Sequence, residues 1–230
     1  MKYLLYILRA GLLPVLLAGC GSAPGNERVK IPPELQSCAK DLAAEDAAVR
    51  IAAVKSLAQA TQPEAVDLLQ AALKDTSPHV RRWAVWALGH KSDKRAVIVI
   101  IGRLEDPDAN VRCAAASALG RVPDVNVVGH VANRLADPCP AVRLAAADQL
   151  AQHVAITLLK QQQTRIVPLA IKLLDEADLA LSRDSVLILL RVSGERYGEG
   201  LDWLDITVPQ RRKVVEQWKA WYAGGRPRRT

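Results

Sequence analysis

The 230 residues carry 31 Lys+Arg against 24 Asp+Glu, a formal charge of +7, and 50% of them are apolar although only 4% are aromatic and Phe is absent. A chain of this length buries a sizeable core without disulfide or metal staples, and it is too apolar for its charge to keep it disordered. An interior assembled from Ala, Val, Leu and Ile points to close-packed helices and away from a β-sandwich.

Residues 1–19 open with Lys2 and Arg9, continue through an apolar run broken by Gly11 and Pro14, and end in small residues. Even counted from Leu4 the run falls short of the roughly 20 apolar residues that a bilayer span needs, so it reads as an export signal. It closes on Leu17-Ala18-Gly19-Cys20, which resembles the lipobox of bacterial lipoproteins. The resemblance implies cleavage before Cys20 and lipidation of Cys20 as the new N-terminus. With Gly21 in place of Asp, it also implies an outer-membrane anchor facing the periplasm. Several acyl chains on that cysteine would make the membrane attachment lasting. Cleavage takes Lys2 and Arg9 away and leaves a mildly basic protein. Outside the cytoplasm its charge meets lipid headgroups, wall polymers or acidic proteins, so no nucleic-acid partner is expected. Residues 20–33 are small, polar and Pro-rich and read as a tether, with folding expected from Glu34. Cys38, Cys113 and Cys139 remain, an odd number that allows at most one disulfide. No metal-site spacing links them to one another or to the four His, and no cofactor is expected.

From there the chain repeats. Val49-Arg50, Val80-Arg81, Val111-Arg112 and Val142-Arg143 recur with arginines spaced by 31 residues. Ala53, Ala84, Ala115 and Ala146 stand three places after the Arg, and Leu57, Leu88, Leu119 and Leu150 seven places after it. Asp75, Asp106 and Asp137 stand six places before it, with Ala44 in the first copy. Asp46, Ser77, Asp108 and Cys139 occupy an N-cap position, followed in two copies by Pro78 and Pro140. Each Arg therefore starts a helix whose −1, +3 and +7 positions form its core stripe. An apolar segment precedes each one, at 34–43, 63–74, 93–105 and 122–136. Helical pairs this short cannot bury their own apolar faces, so the expected fold class is all-α, an α-solenoid of about five stacked hairpins. This Asp-(five residues)-Arg pattern, with Val before the Arg and Ala-x-x-x-Leu after it, resembles HEAT repeats, and more closely the short bacterial type found in phycobilin lyases. The resemblance implies that Asp75, Asp106 and Asp137 bond Arg81, Arg112 and Arg143 in a structural ladder between repeats.

Beyond Leu150 the pattern loosens. Residues 151–160 read as a prolonged helix and Gln161-Gln162-Gln163 as a connector. Residues 164–176 and 178–192 read as a fifth pair in which Arg183 and Leu190 keep the seven-residue offset. The repeats thus span 34–193. Residues 194–230 hold a loop, a capping helix at 209–222 with Val214, Val215, Trp218, Trp221 and Tyr222 along one edge, and a basic tail at 226–229.

No phosphate-binding loop, nucleophile elbow or metalloprotease pattern occurs, and no catalytic residue is expected. The chain also lacks the His-Glu pairs that a HEAT-like iron hydroxylase family uses as metal ligands. Candidate partner-binding residues lie on the Arg-bearing helices at offsets opposite the core stripe: Arg82, Trp86 and His90, then Cys113, Ser117 and Arg121, then Leu144 and Asp148. Trp86 stands out, either as an interface anchor or folded down against Trp83. Cys139 reads as a reactive N-cap thiol, a disulfide partner of Cys113, or a small stand-in for Asp or Ser. The expected function is a membrane-anchored scaffold that binds another protein. A prosthetic-group binder akin to the bilin lyases and a lipoprotein that grips the cell wall are the alternatives.

Overall fold

The computed structural model describes residues 31–91, 93–203 and 205–224. The export signal, Cys20, most of the tether and the tail at 226–229 lie outside the described residues. Those described are helical, with no β-strand among them, and they fall into two compact units divided between Arg103 and Leu104.

The first unit holds α1 (Pro33–Asp41), α2 (Ala47–Gln59), α3 (Glu64–Ala72), α4 (Pro78–His90) and α5 (Lys94–Arg103). Here α1 pairs with α2 and α3 with α4, while α2 lies beside α4 and α3 beside α5. The second unit holds α6 (Ala109–Leu119), α7 (Val125–Asn133) with a 3₁₀ turn at Arg134–Ala136, α8 (Pro140–Gln152), α9 (Ile156–Gln161), α10 (Gln163–Leu173), α11 (Leu179–Ser193) and α12 (Val208–Tyr222). In it α6, α8 and α11 lie side by side, and α9 and α10 lie beside α7. Each unit thus has two helical layers around a shared core.

The core stripe falls where the repeat places it: Val80, Val111, Val142, Ala84, Ala115, Ala146, Leu88 and Leu150 are fully buried. Val49 departs from its counterparts and is 39% exposed. Close approach of α8 to the end of α6 depends on Gly120, where an added Cβ would stand 2.4 Å from Gln149 Cβ.

The Asp-(five residues)-Arg spacing has a local cause. Asp75, Asp106 and Asp137 each accept the backbone N–H two residues on, at 2.8 to 3.0 Å, which turns the chain into the next helix. Each arginine then reaches back over its own turn. Nη1 donates to the carbonyls six and five places earlier, as Arg50 does to Ala44 and Glu45, Arg81 to Asp75 and Thr76, Arg112 to Asp106 and Pro107, and Arg143 to Asp137 and Pro138. The other edge of the guanidinium grips the acid of the following repeat. Arg50 does so to Asp75 at 2.7 and 2.9 Å, and Arg112 to Asp137 at 2.9 Å twice. Arg50 thus joins the arginine series and supplies a rung that the repeat pattern alone did not reveal.

The fifth repeat corrects two expectations. The helix does not run on from 151 to 160. It stops at Gln152 because Arg191 donates to the carbonyls of Leu150, Ala151 and Val154, and α9 starts afresh. The repeat register is also set by Ser182 instead of Arg183. Asp178 caps α11 four places before Ser182, Leu181 and Leu189 are buried on either side, and Glu176 fills the acid position six places back. Arg143 accordingly donates to Glu176 at 3.1 Å. Ser182 cannot wrap the turn as an arginine does. Arg211 of α12 takes over, donating to the carbonyls of Leu174 and Glu176 and to Ser182 Oγ.

The capping helix is fixed by a Thr207–Gln210 capping box and by the buried Val214, Val215 and Trp218. Trp218 Nε1 donates to the Tyr197 carbonyl at 3.1 Å, and its ring meets Tyr197 and Trp221 edge-on. Tyr222, expected on the same apolar edge, is 54% exposed because it lies in the last turn beyond those contacts.

Candidate protein-binding surface

In the first unit α2 and α4 turn one common side to solvent. Neither helix contains Asp or Glu. Lys55 of α2 and Arg82, Trp86 and His90 of α4 are exposed, and Trp83 is half-buried beside them. Lys55 Nζ sits 4.3 Å above the centre of the Trp83 ring, a cation–π contact. Trp83 meets Trp86 edge-on at 5.6 Å, and Trp86 stacks with His90 at 4.3 Å. His90 Nδ1 lies 2.8 Å from the Trp86 carbonyl, which only accepts, so Nδ1 carries the proton. Trp86 therefore touches Trp83 as one reading expected, yet it remains 42% exposed. Held between two rings, it presents a fixed apolar face. Arg82 makes no hydrogen bond or ion pair with the described residues.

The remaining candidates lie in the second unit. Arg121 is exposed, whereas Cys113, Ser117, Leu144 and Asp148 are half-buried. Asp148 bonds the amides of Gln149 and Gln152. Cys113 and Cys139 are free thiols, as is Cys38 of the first unit. Burial, and then the nearby Cys139, push the Cys113 thiol above its ordinary range, which disfavours the reactive thiolate. Cys139 occupies the N-cap of α8 without a side-chain bond there.

Sequence reasoning missed a second arginine series. Arg103 donates to the carbonyl of Leu73, the C-cap of α3, at 3.2 Å in the first unit, and Arg134 to the Leu104 carbonyl at 3.0 Å in the second. Their spacing of 31 residues was the available signal. It also missed Asp184, fully buried on α11, where burial raises its carboxyl although Arg183 opposes the rise at 2.9 Å; its Oδ2 has no hydrogen-bond partner among the described residues. A crevice of about 280 Å³ lies between α11 and the loop at 198–203, lined by Leu187, Leu190 and Leu201 together with Arg183 and Glu199. Among the described residues no group of three or more His, Cys, Asp and Glu is gathered as a metal site. No helix among them is long and apolar enough to cross a membrane.

Helix pairs repeated at a fixed interval, joined by arginine-wrapped turns and offering one side of their second helices to solvent, define an α-helical repeat protein of the solenoid class. The chain belongs to the HEAT-repeat family: the family model for HEAT repeats matches residues 33–104 and 98–153. An engineered protein of known crystal structure is similar at 17% identity, with 84% of this chain and 98% of that one covered and a TM-score of 0.55. A designed armadillo repeat protein is similar at 16% identity over 84% and 89% of the two chains with a TM-score of 0.52. Another, in complex with the peptide (KR)4, is similar at 16% identity over 83% and 90% with a TM-score of 0.50. Among curated proteins none matches in sequence.

Proposed function

We propose that the chain is a lipid-anchored scaffold of the cell envelope that binds another protein and performs no catalysis. The observation that carries the binding role is Trp86, 42% exposed yet packed between Trp83 and His90, with Arg82, which has no partner among the described residues, on the same face. Tryptophan and arginine dominate binding energy in protein interfaces, and a ring already held in place loses little entropy on docking. A HEAT-repeat fold suits the role, and the similar designed armadillo protein that holds a peptide is one occupied example of a related helical-repeat architecture. Anchoring rests on the Leu17-Ala18-Gly19-Cys20 sequence, from which Cys20 is the lipidated residue of an outer-membrane protein facing the periplasm.

The test is cross-linking in intact cells, followed by envelope fractionation and purification of the full chain. The wild type is expected to bring down a specific protein from the membrane fraction. Trp86→Ala with Arg82→Ala is expected to lose that protein while far-UV circular dichroism stays unchanged. Cys20→Ala is expected to leave the membrane fraction. Retained capture by the double variant sinks the site, and a membrane-bound Cys20→Ala chain sinks the anchor.

A further inference from the structure

We infer that the face formed by α2 and α4 receives an acidic, extended protein segment, with carboxylates on either side of an apolar residue that rests on Trp86. This rests on the binding role proposed for Trp86 and names the chemistry of the partner.

The charge on this face is unbalanced by construction. Thirteen residues of α2 and thirteen of α4 include no carboxylate. The arginines that begin these helices are already spent: Arg50 on Asp75 and two carbonyls, and Arg81 on the turn before α4. Among the described residues of this face the cations left for an incoming group are Lys55 and Arg82. Lys55 is held over the Trp83 ring with no carboxylate bonded to it, and Arg82 has no described partner. Trp86 adds the apolar contact on the same side of α4 as Arg82. Opposite charge is what such a surface selects, and like charge is repelled from it.

The dimensions favour a peptide over other polyanions. Neighbouring helices pack about 10 Å apart, and an extended chain crosses that distance in about three residues. Carboxylates three places apart would therefore reach the two helices in turn. A nucleic acid binds by neutralising many phosphates at once, whereas among the described residues only Lys55 and Arg82, neither bonded to a carboxylate, flank the exposed Trp86 indole on this face.

The test uses the full-length chain and fluorescence anisotropy of a dye-labelled peptide built from repeats of Glu-Leu-Pro-Glu. A Lys-Leu-Pro-Lys peptide, a single-stranded oligonucleotide and anionic phospholipid vesicles are the comparison probes. The acidic peptide is expected to bind, to weaken as salt is raised, and to lose about tenfold in affinity on Trp86→Ala or Arg82→Glu. The basic peptide is expected not to bind. Equal binding of both peptides overturns the inference, as does acidic-peptide binding indifferent to both substitutions in variants of unchanged helicity. Preferential binding of the oligonucleotide or the vesicles overturns it too. A photo-cross-linker placed at position 86 separates the two failures. If the acidic peptide does not bind but position 86 still captures the cellular partner, the acidic character of the partner falls and the binding role stands; if neither occurs, both fall.

Discussion

Asp137→Ala is expected to cost the second unit about 3–5 kcal/mol, the range measured when one member of a buried charge pair is removed. The side chain of Asp137 is wholly inaccessible, and that of Arg112 is 12% exposed. One carboxylate holds three things together: the bidentate bond from Arg112, the N–H of Cys139 at the start of α8, and Arg134 at 3.6 Å. Its loss leaves a guanidinium desolvated without its acid and unties the turn into α8 in the same step. Asp137→Asn is expected to lose less, because an amide oxygen still accepts the Cys139 N–H. Urea unfolding of the three proteins checks the ranking, and a loss under about 1 kcal/mol for the alanine variant would mean that the pair is worth no more than a surface ion pair.

The same carboxylate sets a pH dependence. Burial alone would raise Asp137, but the bonds from Arg112 and Cys139 and the charges of Arg112 and Arg134 outweigh it and hold the group below the usual carboxylate range. Its contribution is therefore complete above the unfolded value of about 3.9 and disappears as pH falls from there through the depressed folded value. Asp184, raised by burial, acts with the opposite sign, its contribution declining as pH rises from the unfolded value through the folded one. The Asp137 share is thus read from the difference between wild type and Asp137→Asn across acid pH.

Trp218→Ala is expected to cost a comparable ~3–5 kcal/mol, as for other fully buried aromatics cut to alanine. The ring is fully buried, its edge contacts reach Tyr197 and Trp221, and its Nε1 bond ties the loop after α11 to α12. The effect should extend beyond the ring. When α12 loosens, Arg211 leaves the Leu174 and Glu176 carbonyls, and the turn before α11 loses the guanidinium that closes it. Hydrogen exchange is expected to show lost protection in α12 and in the first turn of α11, with α6 and α7 unchanged. Trp218→Phe should recover most of the buried area and lose the hydrogen bond. If exchange in α11 is unaffected, α12 is only a lid and does not complete the last repeat.

The repeating helices were legible because their signals are local: a cap, a proline, an arginine and a Leu seven places on, each fixing one short helix. The solvent side of α4 was legible as well, since Arg82, Trp86 and His90 fall one turn apart. What escaped depended on contacts between distant positions. Arg50 was passed over because its own repeat lacks the acid, yet arginines pair forward, and Asp75 belongs to the next repeat. Glu176 was hidden by the extra helix α9, which displaces the acid from the 31-residue register, so that Pro168 stands in its place. Arg183 was an inviting anchor for the fifth repeat because it is an arginine, whereas the cap at Asp178 points to Ser182. The break after Gln152 has no Gly or Pro to announce it and comes from Arg191, some forty residues further on.

The arginine that folds over its own turn and holds the acid of the next repeat bears on how such a chain changes length. A block of 31 residues carries a socket at one end and a plug at the other, so copying or deleting a whole block in the interior leaves matching joints. Growth behind α11 has no such freedom. There the plug comes from α12, and a block spliced between them would find Ser182 where an arginine is needed and would separate Arg211 from the turn it closes. Gains and losses of repeats in related chains should therefore cluster upstream of α11, with α11 and α12 inherited together.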